Sequence, residues 1–410
     1  MLSPGANALT GTRFTGPRKA SAPVLDVPKT STGTGSVVAT TTVVELTGAV
    51  VDSLPDALVP AVVDDAGDVA EVHAPSIAAA PVTATTKRRS LTCLVGSAML
   101  PADDTKEGNV GLLDGKVAIV TGAGRGIGRC EALSLASEGA AIVVNDLGAG
   151  LDGTGDRTNP AQAVVDEITA AGGRGIANGD DIAGYSGAEA VVGTAIEHFG
   201  RLDILVNNAG ILRDKMSFNL EERDFDDVVR VHLKGHFSMS RTAGAYWRGQ
   251  HKAGNPIAGR IINTTSEAGL FGSVGQANYA AAKGGIATLT VVLAREYEHF
   301  GVTVNAIAPR ARTRMTTSAL GALEPEPGAF DTWAPENVAP VVAWLATDQA
   351  AEVNGQIFVV WGGAVHLVAH YQPAGSIVRD RAWTPQELLD NQAELFGDRS
   401  SGIPPFPFGM

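Results

Sequence analysis

The sequence predicts an α/β fold, a doubly wound parallel sheet of about seven strands in one domain, flanked by a disordered N-terminal tail and a C-terminal extension. Three observations predict it. Short apolar, β-branched runs recur from about residue 112 to 365. Helical stretches separate them. The runs also lack the in/out alternation of a half-exposed strand, so they suit strands buried on both faces. Strand–helix alternation of this kind implies parallel strands joined by right-handed crossovers.

Taken in order, residues 1–111 come first and read differently from the rest. They are rich in Ala, Val, Thr, Pro and Gly, and residues 1–98 hold a single aromatic side chain, Phe14. Turn residues break every stretch that could form a strand, so little is available to build a core. We expect a low-complexity, disordered segment. Met99, which opens "MLPADDTKEGNVGLLDGKVAIVTG", offers a natural start. The predicted strands follow as "KVAIVTG" (116–122), "AAIVVND" (140–146), a weaker "RGIANGDD" (174–181), "LDILVNNAG" (202–210), "RIINTTS" (260–266), "VTVNAIAP" (302–309) and "QIFVVWGG" (356–363). Residues 366–410 end in "GIPPFPFGM", whose prolines forbid a long helix there. This extension is expected to pack along the domain surface or a subunit interface.

Composition narrows the function. A net charge of −13 argues against nucleic acid or an anionic membrane as partner. No apolar run is long enough to span a bilayer. With only Cys93 and Cys130 there is no disulfide framework, and a reducing cytoplasm is the expected location. "KRRSLTCLVGSAML" (87–100) has the flavour of a signal peptide, but it is internal and its apolar part is interrupted, so secretion is not expected. His232/His236 and His366/His370 are spaced i, i+4 but lack the Glu of H-E-x-x-H and any cysteine cluster, so no metal is expected.

"TGAGRGIGR" (121–129) follows the first strand and opens a helical stretch, which makes the domain Rossmann-like. Its glycines, Gly122, Gly124, Gly126 and Gly128, let backbone approach a pyrophosphate, and the helix N-terminus offers free N–H groups. Asp146 ends the second strand, 18 residues past Gly128, where a carboxylate can accept the adenosine ribose hydroxyls. NAD is therefore expected over NADP. Arg125 within the turn argues the other way, because basic residues there can favour a 2′-phosphate.

"GQANYAAAKGG" (275–285) places Tyr279 and Lys283 one helical turn apart on a common face. Ser266 stands thirteen residues earlier, at the end of a strand. A strand end and the next helix meet at the carboxyl edge of an α/β sheet, where ligands bind. None of the other four tyrosines has a lysine four residues on.

Over residues 112–365 the chain resembles the short-chain dehydrogenase/reductase family. The ordered motifs "TGAGRGIG", "NNAG" (207–210), Ser266, "YAAAK" (279–283) and "NAIAP" (305–309) carry the resemblance. It implies that Tyr279 is the general acid/base, and that Lys283 lowers its pKa and binds the nicotinamide ribose. Ser266 then polarises the substrate oxygen. By the same resemblance Ile127 lies in the glycine-rich turn. Asn208, Ala209 and Gly210 line the cofactor, Asp181 and Ile182 flank its adenine, and Thr313, past Pro309, reaches its carboxamide or pyrophosphate.

Two positions depart from the family pattern. "VHLKG" (231–235) puts His232 where the family usually has Asn, so His232 is a candidate proton relay or an ordinary pocket histidine. Arg310 follows Pro309 where a small residue is common, and is expected to narrow or charge the pocket entrance. "VVNDLGAGLDGTG" (143–155), "NNAGILRDK" (207–215), "VHLKGHF" (231–237) and "GLFGSVGQANYAAAK" (269–283) resemble the dehydrogenase portion of multifunctional β-oxidation enzymes and their single-domain bacterial relatives. In that subgroup "VHLKG" recurs, and the substrates are 3-hydroxyacyl thioesters and some steroids.

The resemblance thus implies an NAD-dependent oxidation of a hydrophobic secondary alcohol, in a homodimer or homotetramer with the Tyr279 helix at the interface. Residues 313–333 would form the substrate lid. The alternatives are an NADPH-dependent 3-oxoacyl reductase, or a catalytically silent nucleotide-binding scaffold on the same fold.

Overall fold

The computed structural model describes residues 111–154, 159–320, 325 and 328–408. The expectations for the N-terminal segment, including Met99 and Cys93, lie outside these residues, as does part of the expected lid.

The chain runs β1 (Val117–Thr121), α1 (Gly126–Ser137), β2 (Ala141–Asn145), α2 (Pro160–Ala170), β3 (Arg174–Asn178), α3 (Tyr185–Phe199), β4 (Ile204–Asn207), α4 (Glu222–Val229) and α5 (Gly235–Lys252). It continues through β5 (Gly259–Thr264), α6 (Glu267–Phe271), α7 (Ala277–Tyr297), β6 (Val302–Arg310), α8 (Arg314–Leu320), α9 (Ala339–Ala346), β7 (Ile357–Trp361), β8 (Ala364–Leu367), α10 (Pro385–Asp390) and α11 (Gln392–Phe396). The sheet order is β3-β2-β1-β4-β5-β6-β7-β8. Every pairing is parallel except β7–β8.

The apolar runs form strands because both faces are covered. β1, β2, β4 and β5 are buried at every residue. Side chains alternate between two cores. Ala118, Val120, Ile142, Val144, Ile204, Val206, Ile262 and Ile307 pack with α1, α2 and α9. Val117, Ile119, Leu205, Ile261 and Val304 pack with α3, α5 and α7. The order reverses direction between β1 and β4, which opens a crevice at the carboxyl ends of these strands, the usual ligand site of such sheets.

The count of about seven strands is corrected to eight, and the sheet runs past residue 365. The cause is local: Gly362 takes φ +53°, a left-handed turn that glycine adopts without steric cost. The chain therefore folds back on β7 as an antiparallel edge strand. His366 sits in that strand, so its i, i+4 spacing to His370 is not helical.

Candidate functional site

The glycine-rich turn exists because side chains would not fit in it. A Cβ on Gly122 would stand 2.7 Å from the Cα of Ala209, and one on Gly128 2.4 Å from Asn208 Nδ2. Gly126 has φ +56°, and a Cβ on Gly124 would stand 2.8 Å from Asp146 Oδ2. Asn208 ties the turn to β4: its Nδ2 donates to the carbonyls of Thr121 and Gly122 at 3.0 and 3.1 Å. No side chain caps the N-terminus of α1, which leaves its first amide groups to a ligand's phosphates.

A cleft of about 570 Å³ opens over this turn. Gly122, Arg125, Gly126, Ile127, Gly128, Asp146, Asp181, Ile182, Asn208, Ala209, Gly210 and Thr313 all line it. Gly124 stands behind the lining, where its N–H donates to Asp146 Oδ2 at 2.9 Å. Asp146 Oδ1 accepts from Gly148 at 2.8 Å, so two backbone amides fix the carboxylate at the end of β2. Pro309 lies within β6, outside the lining. Asp181 caps the turn before α3 and pairs with Arg230. Arg230, Leu147 and residues 149–153, which the sequence did not single out as cofactor-binding, also line the cleft. These residues fit a dinucleotide: a glycine-rich cradle for the pyrophosphate, with a backbone-fixed carboxylate in the same cleft.

The second cluster adjoins the first through Gly210 and Ile211. Tyr279 and Lys283 share a face of α7, with Lys283 Nζ 5.6 Å from the Tyr279 ring centroid. Lys283 is buried and its Nζ donates to the Thr264 carbonyl at 2.6 Å. Ser266 caps α6, its Oγ accepting from Ala268 N at 3.2 Å. Asn278, which the sequence reading did not single out, sets the start of α7. Its Nδ2 donates to the Arg213 and Asp224 carbonyls, and its Oδ1 accepts from Tyr279 N at 2.8 Å.

The electrostatics correct one expectation. The resemblance implied a phenol with a lowered pKa. Burial instead pushes Tyr279 up to about 12, with the Ser266 hydrogen bond pulling the other way. Burial also pushes Lys283 down to about 7. Desolvation disfavours the charged form of each group, and at the phenol it outweighs the opposing pull of Ser266.

His232 lies in a single π-helical turn, Arg230–Lys234, between α4 and α5. Such turns insert one extra residue and re-aim side chains. His232 and His236 are both buried. Burial and, behind it, the Lys283 charge push His232 down to about 3 and His236 well below its usual range. Among the described residues no three His, Cys, Asp or Glu side chains cluster as metal ligands. Arg310 does not charge the entrance: it is 8% exposed and its Nε meets Glu267 Oε2 at 2.8 Å.

Comparison with known proteins agrees with this geometry. The short chain dehydrogenase family matches residues 116–322. The chain is 46% identical over 295 residues to the hydroxyacyl-CoA dehydrogenase ChsB1 of Mycobacterium tuberculosis, covering 70% of this chain and 90% of that one. It is 41% identical over 284 residues to the peroxisomal multifunctional enzyme type 2 of Mus musculus, covering 69% of this chain but only 37% of that longer protein. A crystal structure of a short chain dehydrogenase from Mycobacterium avium superposes with a TM-score of 0.65 at 50% identity, covering 73% of this chain and all of that one. Sheet order, glycine-rich turn and the Ser266–Tyr279–Lys283 cluster thus accompany a match over half the chain: the protein belongs to the short-chain dehydrogenase family and is an oxidoreductase.

Proposed function

We propose that this enzyme is an NAD-dependent dehydrogenase of 3-hydroxyacyl thioesters. One observation carries the reading. A half-buried tyrosine, beside a buried lysine and a strand-end serine, adjoins a cleft lined by a carboxylate that two backbone amides fix. A nicotinamide dinucleotide, when bound, supplies the hydride acceptor. Ser266 Oγ orients the substrate hydroxyl, and Tyr279 Oη takes its proton. Lys283, held on the Thr264 carbonyl, favours the phenolate by its charge and offers an N–H to the nicotinamide ribose. Asp146 accepts the adenosine ribose hydroxyls. The thioester class rests on the hydroxyacyl-CoA dehydrogenase and multifunctional-enzyme relatives. Homo-oligomerisation through α7 belongs to the same reading.

The test is oxidation of 3-hydroxyacyl-CoA substrates of graded chain length with NAD, followed by NADH absorbance, in the unmodified protein and in Tyr279→Phe. The variant keeps the ring and its packing, so turnover should fall at least about 100-fold, the scale of acid/base groups. Oxidation of small diols or sugars but of no thioester would refute the substrate class. Unchanged turnover in Tyr279→Phe would refute the mechanism.

A further inference from the structure

Arg310 and the C-terminal residues were left unexplained by the chemistry above, and the structure joins them. Arg310 ends β6 and is almost wholly buried. Its guanidinium carbon lies 4.9 Å from the Trp361 ring centroid, 5.8 Å from that of Trp333 and 5.9 Å from that of Phe408. Its Nε is bonded to Glu267, the residue directly after Ser266. Burial raises the pKa of the Glu267 carboxyl and Arg310 opposes that shift. Phe408 also stands 5.9 Å from Phe271, the last residue of α6, and 5.1 Å from His366 of β8. Phe406 meets the same Phe271 at 5.8 Å.

Both ends of α6 are therefore gripped by this node: Glu267 by Arg310, and Phe271 by Phe406 and Phe408. A helix of five residues cannot hold its own shape in water, so its orientation comes from these contacts. Ser266 is its N-cap. A cation caged by aromatic faces and paired to a carboxylate is a strong, directional anchor.

We infer that Arg310 is a positioning residue for Ser266, and that Phe408 of the C-terminal segment completes the active site by closing the aromatic cage around that arginine. The inference rests on Ser266 acting on the substrate, as proposed above. It also gives the "GIPPFPFGM" terminus a role: the prolines hold it extended, so its two phenylalanines reach α6 and β8.

The experiment compares Phe408→Ala, Arg310→Lys and Ser266→Ala, alone and as the Phe408→Ala/Ser266→Ala pair. It uses NAD and whichever 3-hydroxyacyl-CoA of the series is oxidised fastest. Phe408→Ala should lower kcat about tenfold while NADH affinity, read by fluorescence, and the melting temperature stay near wild type. Phe408→Tyr should restore kcat, because it keeps the ring. Arg310→Lys keeps the charge but not the planar stacking, and should resemble Phe408→Ala. In the Ser266→Ala background, Phe408→Ala should have no further effect, since the serine it positions is gone. Equal fold losses in both backgrounds, or a Phe408→Ala kcat within twofold of wild type, would overturn the inference. So would a crystal structure of Phe408→Ala with α6 and Ser266 Oγ unmoved. Full activity in Ser266→Ala would instead overturn the proposed mechanism itself.

Discussion

The imidazole of His232 stands edge-on to the ring of Tyr279, with centroids 5.2 Å apart and planes at 87°. Its Nε2 lies 2.8 Å from the Ile211 carbonyl oxygen and 3.1 Å from the Ile211 nitrogen. One nitrogen cannot donate and accept at once. We assign the proton to Nε2 on the shorter contact, which leaves Nδ1 without a partner. His232 thus braces the tyrosine ring from the side and is fastened to the loop after β4.

That bracing predicts the effect of one added methyl group. A Cβ on Gly210 would stand 2.1 Å from His232 Cε1, a distance no real contact tolerates. Gly210→Ala should therefore displace the imidazole and, with it, the Tyr279 ring. Turnover should fall at least tenfold, with a drop in melting temperature. Gly193→Ala, where a Cβ meets nothing within 4 Å, is the control: turnover should hold, and the melting temperature should not fall, since alanine favours the interior of α3. His232→Asn restores the commoner residue of the family and should keep substantial activity. Loss of all activity in His232→Asn would give the histidine a chemical role beyond bracing.

Asn208 predicts a different kind of loss. Its side-chain amide bonds two carbonyls of the glycine-rich turn, and its backbone N–H bonds Thr121 Oγ1 at 3.0 Å. Asn208→Ala keeps the backbone bond but leaves both carbonyls without that donor. The cost should be about 1–3 kcal/mol, the range for stranded buried groups. Because the turn is the cradle, NADH affinity measured by fluorescence titration should fall as well. Unchanged affinity with lowered stability would mean the clamp serves the fold alone.

What the sequence made legible follows from how each feature is encoded. Strands buried on both faces are written as uninterrupted apolar runs. The glycine turn is written as residues that only a close backbone approach requires. Tyr279 and Lys283 are written as one helical spacing. Features that depend on partners far along the chain were not readable. Asn278 looks like any helix-start residue until the carbonyls of Arg213 and Asp224 are brought over it. The π-turn that aims His232 has no composition of its own. Arg310 read as an entrance charge because Glu267, Trp361 and Phe408 come to it only through folding. The Tyr279 pKa depends on burial as well as on charge, and a neighbouring cation is visible in sequence whereas the depth of burial is not.

Cofactor choice is predicted from Asp146. Its carboxylate is fixed by Gly124 and Gly148 and cannot swing away without giving up both bonds. A 2′-phosphate at the ribose would meet a like charge in a fixed place, which costs several kcal/mol in interfaces built on repulsion. Arg125 also lines the cleft and is half-buried, but solvent in the open cleft screens its pull on a phosphate, toward the value of about 1 kcal/mol for a surface pair. NAD should therefore be preferred by at least about tenfold in kcat/KM, each tenfold being about 1.4 kcal/mol. Asp146→Ala should shrink the ratio mainly by improving use of NADP. Equal use of both cofactors by the unmodified enzyme would show that the arginine prevails.

Glu131 predicts how stability should vary with pH. It lies in α1 with 0% exposure, and neither carboxyl oxygen has a hydrogen-bond partner. Burial pushes its pKa up to about 8, with Lys283 pulling it down. An unfolded glutamate titrates near about 4.3. The folded value is the higher one, so the native state holds a proton that the unfolded chain has released. Stability from this group is complete below about pH 4 and is lost as pH rises toward 8. Other buried groups titrate in overlapping windows with the opposite slope. His232 and His236 are neutral in the fold and lose stability as pH falls, and Lys283, pushed down, does the same at higher pH. The difference between wild type and Glu131→Gln removes the shared histidine contributions and leaves the Glu131 titration together with its coupling to Lys283. Urea unfolding at pH 5 should find the two proteins close in stability. By pH 8 the variant should be the more stable, the gap widening by up to about 1.4 kcal/mol per pH unit, the limit for one proton. A gap that stays constant from pH 5 to pH 8 would mean that Glu131 is ionised throughout, with Lys283 serving as its full counter-charge.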